Sequence, residues 1–292
     1  MSTIPSAAKQ AGLKIPGPPA IETLSPEQKP RLGPGSHGKA VGHLQTLLNN
    51  ALGAGTLGVD EDYGGMTTDA VSLFQHKRSL AITGKVGVEE WKELSANPAD
   101  PFGCQGLFWP FQAVCQIGTY MEPQQNLATI ATPYVGATET TGNKMGNDAR
   151  MKEIFEADDL APGGNTDGYA WCAAFVSLCT QKLIAQYPWA FAGVTPPREP
   201  SVSRFLNSWA VGQKCLIFKP TSKVIKPMAG DIVVYTFSHI GIVETVGESA
   251  VNTIEGNTNE AGSREGTAVL QKSRTKSLVR RFIRLPVKRR LL

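Results

Sequence analysis

The spacing of apolar residues changes along the chain, from a helical period near the N-terminus to alternation near the C-terminus. Between residues 32 and 94, three short groups of apolar residues recur every three or four positions, around Leu44, Val71 and Trp91. Glycine-rich turns separate the groups. Because such spacing puts apolar side chains on one face of a helix, it predicts three short helices that share a small core.

From residue 121 onward, the pattern predicts helices first and strands afterwards. Helical spacing is present in four segments, at 125–132, 147–156, 171–186 and 203–209. After residue 230, apolar and polar residues alternate, as in strands, in the five segments 232–236, 239–246, 251–254, 268–271 and 282–285. Helices followed by an antiparallel sheet indicate an α+β fold.

Composition divides the chain into four parts. Residues 1–30 are rich in Pro, Ala and Ser and lack periodicity, so we expect a flexible tail. The helical pattern then defines a module at 31–96, and a Pro-rich break opens a linker at 97–120. We expect the aromatic residues of this linker to pack across the domain junction rather than to stack on sugars. The remainder, 121–292, is long enough to form a second domain with its own core.

Overall composition is that of a globular protein. Hydrophobic residues make up 41% of the 292 residues and charged residues 18%. No apolar run approaches the ~20 residues of a membrane span, so none is expected. The net charge of +4 permits attraction to anionic surfaces but does not require it. Basic and aromatic residues are not interleaved, so we expect no nucleic-acid partner, and we interpret the basic C-terminal residues as a solvated tail.

The N-terminal residues and the cysteines indicate where the protein is made. No continuous apolar segment follows a basic N-terminus, so a conventional secretory signal is not predicted. The five cysteines are odd in number, so at least one thiol is free, as expected after synthesis in the cytoplasm. Action in the periplasm or cell wall would then require non-classical export.

One cysteine of the second domain is a candidate nucleophile. Cys172 begins the apolar run that predicts a buried helix, and free backbone N–H groups and the helix dipole at that end favour a thiolate. A cysteine at a helix start is more often a small buried hydrophobic residue, so the position by itself is weak evidence. Its candidate partner is His239, the single histidine after residue 121, which begins a predicted strand.

The pairing of two strands decides which residue lies beside His239. Glu255 and Asn257 close the strand that follows. If residues 247–249 form the hairpin loop, His239 lies opposite Asn257, and Glu255 shares the same face. A loop of four residues would place Gly256 there instead, because a shift of one residue exchanges the faces of a strand.

Together these side chains would form a nucleophile, a base and an orienting group. Cys172 would attack a carbonyl carbon, and His239 would accept the thiol proton and later donate it to the leaving amine. Glu255 or Asn257 would hydrogen-bond the far ring nitrogen and fix its tautomer. Backbone N–H groups at the helix start would stabilise the oxyanion. The combination predicts a cysteine hydrolase.

The helical module resembles the peptidoglycan-binding domain that accompanies many cell-wall hydrolases. Three motifs in the expected order carry the resemblance, at 38–45, 63–75 and 84–91. The resemblance implies that peptidoglycan is the partner of this module. A generic three-helix bundle is the alternative, and nothing in the segment has a catalytic pattern.

The second domain resembles the CHAP family, the cysteine- and histidine-dependent amidohydrolases and peptidases of the NlpC-type, papain-like superfamily. The matching motifs lie at 171–176, 229–235, 239–243 and 253–258. The resemblance implies a papain-like α+β fold with helices packed on an antiparallel sheet. It also implies cleavage of an amide bond in peptidoglycan, by an N-acetylmuramoyl-L-alanine amidase or by an endopeptidase.

The same resemblance implies a role for each residue of the site. The nucleophile, the base and the orienting acid of the family occupy the positions of Cys172, His239 and Glu255. An asparagine at the position of Asn257 assists them.

No cofactor or metal is expected. Some relatives bind calcium before the nucleophile, but the polar residues there are not spaced as in a regular calcium loop; they are Asp158, Asp159, Asn165 and Asp167. A catalytic zinc needs three protein ligands, which a domain with one histidine and no His-Glu-x-x-His motif does not offer.

Two other functions fit the same fold: a papain-like protease on protein substrates, and a cell-wall-binding protein without activity. For a peptidoglycan hydrolase without a signal, two settings are expected. One is a phage endolysin released through a membrane pore, and the other is an antibacterial effector delivered by a secretion apparatus and countered by an immunity protein.

Overall fold

The computed structural model describes residues 20–96, 123–140, 142–158, 168–261 and 265–288. The expected linker with its aromatic residues, the first part of the expected tail, three of the four candidate calcium ligands and the last basic residues lie outside the described residues.

The N-terminal module contains the three predicted helices. They are α1 (Lys39–Leu52), α2 (Gly65–Lys77) and α3 (Val88–Ala96). Their apolar faces meet in one core, of which the fully buried Trp91 is the largest member. The period of about 3.6 residues thus predicted both the helices and the face that each one buries.

Residues 20–30, which the sequence assigns to the tail, include a stretch that packs on this module. The indole Nε1 of Trp91 donates a hydrogen bond to the Pro30 carbonyl at 2.8 Å. The Lys29 ammonium lies 5.2 Å from the centre of the same indole ring. The folded module therefore includes residues before 31.

The larger domain has helices on an antiparallel sheet, as predicted. Its helices are α4 (Asn126–Ala131), α5 (Ala149–Phe155), α6 (Cys172–Gln186) and α7 (Val202–Arg204), which continues as a π-helix over Phe205–Ala210. The strands are β1 (Leu216–Phe218), β2 (Ile232–Tyr235), β3 (Ile240–Val246), β4 (Ala250–Thr258), β5 (Ala268–Thr275) and β6 (Val279–Arg284). Short 3-10 turns lie at Ile21–Thr23, Pro123–Gln125, Thr132–Tyr134 and Lys276–Leu278. Strand β1 was not predicted, because three residues are too few to display alternation.

The strands lie in the order β1-β6-β2-β3-β4-β5, and all neighbouring pairs are antiparallel. One face of the sheet packs against α6, mainly through the isoleucines Ile232, Ile240, Ile242, Ile254 and Ile283. The opposite face forms a second apolar cluster that includes Val233, Tyr235, Val243, Val251 and Phe282. Within the described ranges, no helix is both long and apolar enough to cross a membrane.

The helical module lies against this second face of the sheet. Leu73 and Ile82 of the module pack on the second apolar cluster. The Ser222 hydroxyl donates a hydrogen bond to the Asp69 carboxylate at 2.6 Å. The two domains are thus held together by apolar packing and by polar contacts.

The hairpin between β3 and β4 differs from the prediction. Val246 pairs with Val251, so the loop contains the four residues 247–250 rather than three. A β-bulge at Glu244 adds one residue to the other strand, so the pairing beyond it returns to the expected register. The longer loop therefore does not exchange the faces of β4, contrary to the expectation for a loop of four residues.

Two glycines confirm which face of β4 each residue occupies. The Glu255 side chain covers Gly241, where an added Cβ would lie 2.7 Å from the Glu255 Cγ. Gly256 faces α6 instead, because a Cβ added there would lie 2.8 Å from the Phe175 Cβ. Glu255 consequently shares the face of Gly241, and by alternation that of His239.

Adding a methyl group at Gly256 tests this packing. Its Cβ would meet both Phe175 and Trp171 at 2.8 Å, so we expect Gly256→Ala to lower the free energy of unfolding by about 1–3 kcal/mol. The control is Gly212→Ala, whose Cβ meets nothing within 4 Å and which should leave stability unchanged or slightly raised. Thermal unfolding followed by circular dichroism measures both, and equal melting temperatures would contradict the packing.

Candidate active site

Cys172 is the first residue of α6 and is buried, with 5% of its surface exposed. The preceding Trp171 has a non-helical backbone, with φ −108° and ψ 15°, so the helix starts at the cysteine itself. The backbone N–H groups of a first helical turn have no acceptor within the helix, and the helix dipole is positive there. The thiol is therefore at the end of α6 that favours negative charge.

The imidazole of His239 is held by a tight turn between β2 and β3. Ser238 adopts a left-handed backbone with φ 58°, and the Tyr235 N–H donates to the His239 carbonyl at 2.9 Å. The ring is fully buried and lies nearly parallel to those of Tyr235 and Phe237, at centroid distances of 6.0 Å and 5.8 Å. Stacking of this kind does not occupy the two ring nitrogens, so both can contact other groups.

The two ring nitrogens have different surroundings. Nε2 lies 3.1 Å from the Glu255 Oε2, and both side chains are fully buried. No described residue hydrogen-bonds Nδ1 with ordinary geometry, but the Cys172 thiol is near enough to influence the charge of the ring. Nδ1 is therefore the nitrogen left to exchange a proton with the sulfur, while Glu255 occupies the far side of the ring.

The site favours a positive ring beside a negative carboxylate. Burial by itself lowers the pKa of His239, but interaction with Cys172 and Glu255 outweighs burial and raises it to about 9. Burial by itself raises the pKa of Glu255, but hydrogen bonds from His239 and Arg274 outweigh it and lower the pKa to about 2. Both shifts favour the imidazolium form of His239 and the ionised form of Glu255.

Three further residues bind the Glu255 carboxylate, and sequence reasoning missed them. The Tyr235 hydroxyl and the Thr253 hydroxyl donate to Oε1 at 2.8 Å and 2.7 Å. Arg274 donates through Nε to Oε1 at 3.0 Å and through Nη2 to Oε2 at 2.5 Å. Thr253 could have been found, since it precedes Glu255 by two residues and so shares its face. Arg274 could not, because its position depends on the pairing of β4 with β5.

Asn257 is buried but does not take the orienting position that the sequence left open to it. It has a left-handed backbone with φ 55°. In the amide orientation that satisfies both of its polar atoms, its nitrogen donates to the Gly266 carbonyl at 2.5 Å and to Asn143 at 3.2 Å, and its oxygen accepts from the Trp171 N–H at 3.3 Å. Glu255 thus orients the ring, whereas Asn257 holds the backbone that precedes Cys172.

The Trp171 side chain strengthens the same anchor. Its indole Nε1 donates to a Glu139 carboxylate oxygen, and the other oxygen of Glu139 accepts from the Asn143 N–H at 2.9 Å. Burial raises the pKa of Glu139. The residue before Cys172 is therefore fixed through both its backbone and its side chain.

The other described cysteines have different environments. Cys179 and Cys215 are buried in the apolar core, and burial raises the pKa of each thiol. Among the described cysteines, Cys172 is thus the one that faces an imidazole. Across the described part of the chain, no group of three or more His, Cys, Asp or Glu side chains is arranged to hold a metal ion. Of the candidate calcium ligands, Asp158 alone belongs to that part.

Histidine NMR measures the charge on His239 directly. We expect His239 to be protonated at neutral pH and to lose its proton near pH 9. Glu255→Gln should lower this midpoint, because it removes a charge that stabilises the imidazolium, and Cys172→Ser should lower it as well.

The control is Glu248→Gln, which removes an equal charge from the exposed β3–β4 loop. It should leave the His239 midpoint within about 0.3 pH units of wild type, because exposed charges are screened. An unchanged midpoint in Glu255→Gln would contradict the assigned electrostatics.

Comparison with known proteins covers both domains. Residues 37–94 match the family described as putative peptidoglycan binding domain. Residues 164–257, which include Cys172, His239, Glu255 and Asn257, match the CHAP domain. No curated protein matches the chain.

Two solved structures are similar to parts of the chain. The crystal structure of Ly7917 is 16% identical, covers 56% of this chain and 61% of its own, and has a TM-score of 0.32. The Burkholderia AP3 phage endolysin is 24% identical, covers 55% of this chain and 52% of its own, and has a TM-score of 0.22. The chain thus spans less than two thirds of either protein. Its two family matches give the chain a peptidoglycan-binding domain followed by a CHAP domain.

Proposed function

We propose that this protein is a peptidoglycan hydrolase that cleaves an amide bond of the cell wall through a covalent thioester. The observation that carries the proposal is the meeting of Cys172, His239 and Glu255 at the N-terminal end of α6. The match of the other domain to a peptidoglycan-binding family supports peptidoglycan as the substrate.

The first half of the reaction forms the acyl-enzyme. The Cys172 sulfur attacks the carbonyl carbon of the amide as a thiolate, its proton being held on His239. The tetrahedral intermediate collapses when the C–N bond breaks, and the imidazolium donates its proton to the departing amine. The products of this half are a free amine and a thioester on Cys172.

The second half releases the enzyme. Water enters the place of the amine, and the now neutral His239 removes one proton as the oxygen attacks the thioester carbon. Collapse of this second intermediate breaks the C–S bond, releases a carboxylic acid and restores the ion pair. Glu255 accepts no proton in either half; it holds the ring in one orientation and stabilises its positive form.

Backbone groups stabilise the oxyanion in both halves. Because α6 begins at Cys172, the N–H groups of its first turn are available to the oxygen that becomes negative. Asn257 holds the Trp171 backbone and thereby fixes the position of this turn. We assign Asn257 this positioning role, in place of contact with the imidazole.

The helical module would keep the enzyme on its substrate. An insoluble polymer cannot diffuse to the enzyme, so a second binding site raises the local concentration of cleavable bonds. The module packs on the sheet of the catalytic domain, so wall bound to it would lie at a defined distance from Cys172.

Both proposed cellular settings bring such an enzyme to the wall after synthesis in the cytoplasm. An endolysin would be encoded beside a pore-forming protein, and an effector beside an immunity protein that protects the producing cell. Expression of the chain in a bacterial periplasm, with and without the neighbouring gene product, distinguishes them. Protection by the neighbour supports the effector, and unprotected lysis supports the endolysin.

Removing the sulfur tests the nucleophile. Cys172→Ala should reduce lysis of isolated cell walls by at least about a thousandfold, because no other group replaces the attacking atom. Binding to the same walls should be unchanged. Cys179→Ala is the matched control, since it removes a thiol from the same helix at a position away from the imidazole. Turbidity of a wall suspension measures lysis, and residual activity above about a tenth of wild type would contradict the assignment.

The products identify the type of bond. We expect digestion to release free amino groups without new reducing sugar ends, because a thiolate attacks amide carbonyls and not glycosidic carbons. Mass spectrometry of the fragments then shows whether the new amine belongs to L-alanine, as for an amidase, or lies within the peptides, as for an endopeptidase. Reducing ends in excess of amines would contradict the proposal.

A further inference from the structure

A buried arginine closes the side of Glu255 that faces away from His239. Arg274 lies on β5, and 8% of its surface is exposed. Its Nε and Nη2 bind one oxygen each of the Glu255 carboxylate, at 3.0 Å and 2.5 Å. Oε2 is therefore shared between Arg274 and His239, and Oε1 is shared between Arg274 and two hydroxyl groups.

Without such a partner, a proton could pass from His239 to Glu255, and both side chains would then be neutral. A buried carboxylate and a buried imidazolium each lose their hydration, and this loss favours the neutral forms of both. Transfer of the proton from His239 to Glu255 would give that neutral pair. The ring would then have no proton to donate to the leaving amine.

We propose that Arg274 is a positioning residue that keeps Glu255 ionised and fixed in one orientation, so that the shared proton stays on His239. The guanidinium places a permanent positive charge beside the carboxylate, and this charge makes protonation of Glu255 unfavourable. Its planar fork also fixes the plane of the carboxylate, and hence the direction from which Oε2 meets the ring. The catalytic role of Arg274 rests on the proposed function, whereas its effect on the ionisation of Glu255 does not.

The surroundings of Arg274 support a permanent charge at this position. Its guanidinium lies 5.5 Å from the ring centre of Tyr235 and 5.4 Å from that of Phe237. These rings also stack on His239. Aromatic faces stabilise a cation that has little contact with water, and the flat guanidinium fits them better than an ammonium would.

The other groups that face Glu255 do not supply this charge. Tyr235 on β2 and Thr253 on β4 donate neutral hydrogen bonds, and burial together with the nearby carboxylate raises the pKa of Tyr235, so its hydroxyl keeps its proton. His239 is the group whose proton has to be retained, so it cannot itself be the fixed charge. Cys172 lies on α6, on the other side of the His239 ring from Glu255. Among the described contacts of Glu255, Arg274 thus contributes the one fixed positive charge.

The experiment compares Arg274→Met and Arg274→Lys in the full chain. Carbon NMR of glutamate labelled at Cδ follows the ionisation of Glu255, and Glu255→Gln assigns its signal. We expect the protonation midpoint of Glu255 to rise by about one pH unit or more in Arg274→Met and by less in Arg274→Lys, which keeps the charge but not the fork. The control is Arg280→Met, which removes an equal charge from an exposed position. A folded Arg274→Met with an unchanged midpoint would overturn the proposal.

Kinetics on cell walls supply a second readout. Arg274→Met should lower the maximal rate by about tenfold or more, leave half-saturation within about twofold, and move the acidic limb of the pH profile upward. Arg274→Lys should move that limb less than Arg274→Met does, because it keeps the positive charge. If neither variant folds, Arg274 acts on stability alone and the proposal is wrong. If the wild type does not cleave walls, the proposed function fails, while the ionisation of Glu255 still decides the role of Arg274.

Discussion

The buried ion pair between His239 and Glu255 is the interaction on which the candidate site depends. Neither side chain reaches solvent, and moving two such charges out of water costs several kcal/mol per ion. Hydrogen bonds from Tyr235, Thr253 and Arg274 to the carboxylate offset that cost. Because each of these donors comes from a different strand, the sheet must be assembled before the charge distribution of the site can exist.

Strand register is the constraint that brings these donors together. The bulge at Glu244 compensates for the longer hairpin loop, and Glu255 remains on the face of His239. Two glycines provide the space that this arrangement needs. Gly241 leaves space for the Glu255 side chain, and Gly256 allows α6 to approach β4. A side chain at either glycine would displace the carboxylate or the helix that holds the thiol.

The helical module and the His239–Glu255 pair lie on the same face of the sheet. Tyr235 contacts Glu255 and also belongs to the apolar cluster on which Leu73 and Ile82 of the module pack. Between the module and the larger domain, His76 and Ser79 reach the backbone of residues 285 and 287. The helical module therefore contacts the same face of the sheet on which His239 and Glu255 lie.

The sequence alone determined the elements and the candidate residues, because periodicity reports which face of an element is buried. It predicted the three helices of the module, the Cys172 helix and five of the six strands, and it selected Cys172, His239 and Glu255 as candidates. It did not determine the length of the β3–β4 loop, which of Glu255 and Asn257 contacts the His239 ring, or the contact between Arg274 and Glu255. Those depend on register and on pairs of residues far apart in the chain, which local patterns do not encode and which only the packing of the complete sheet decides.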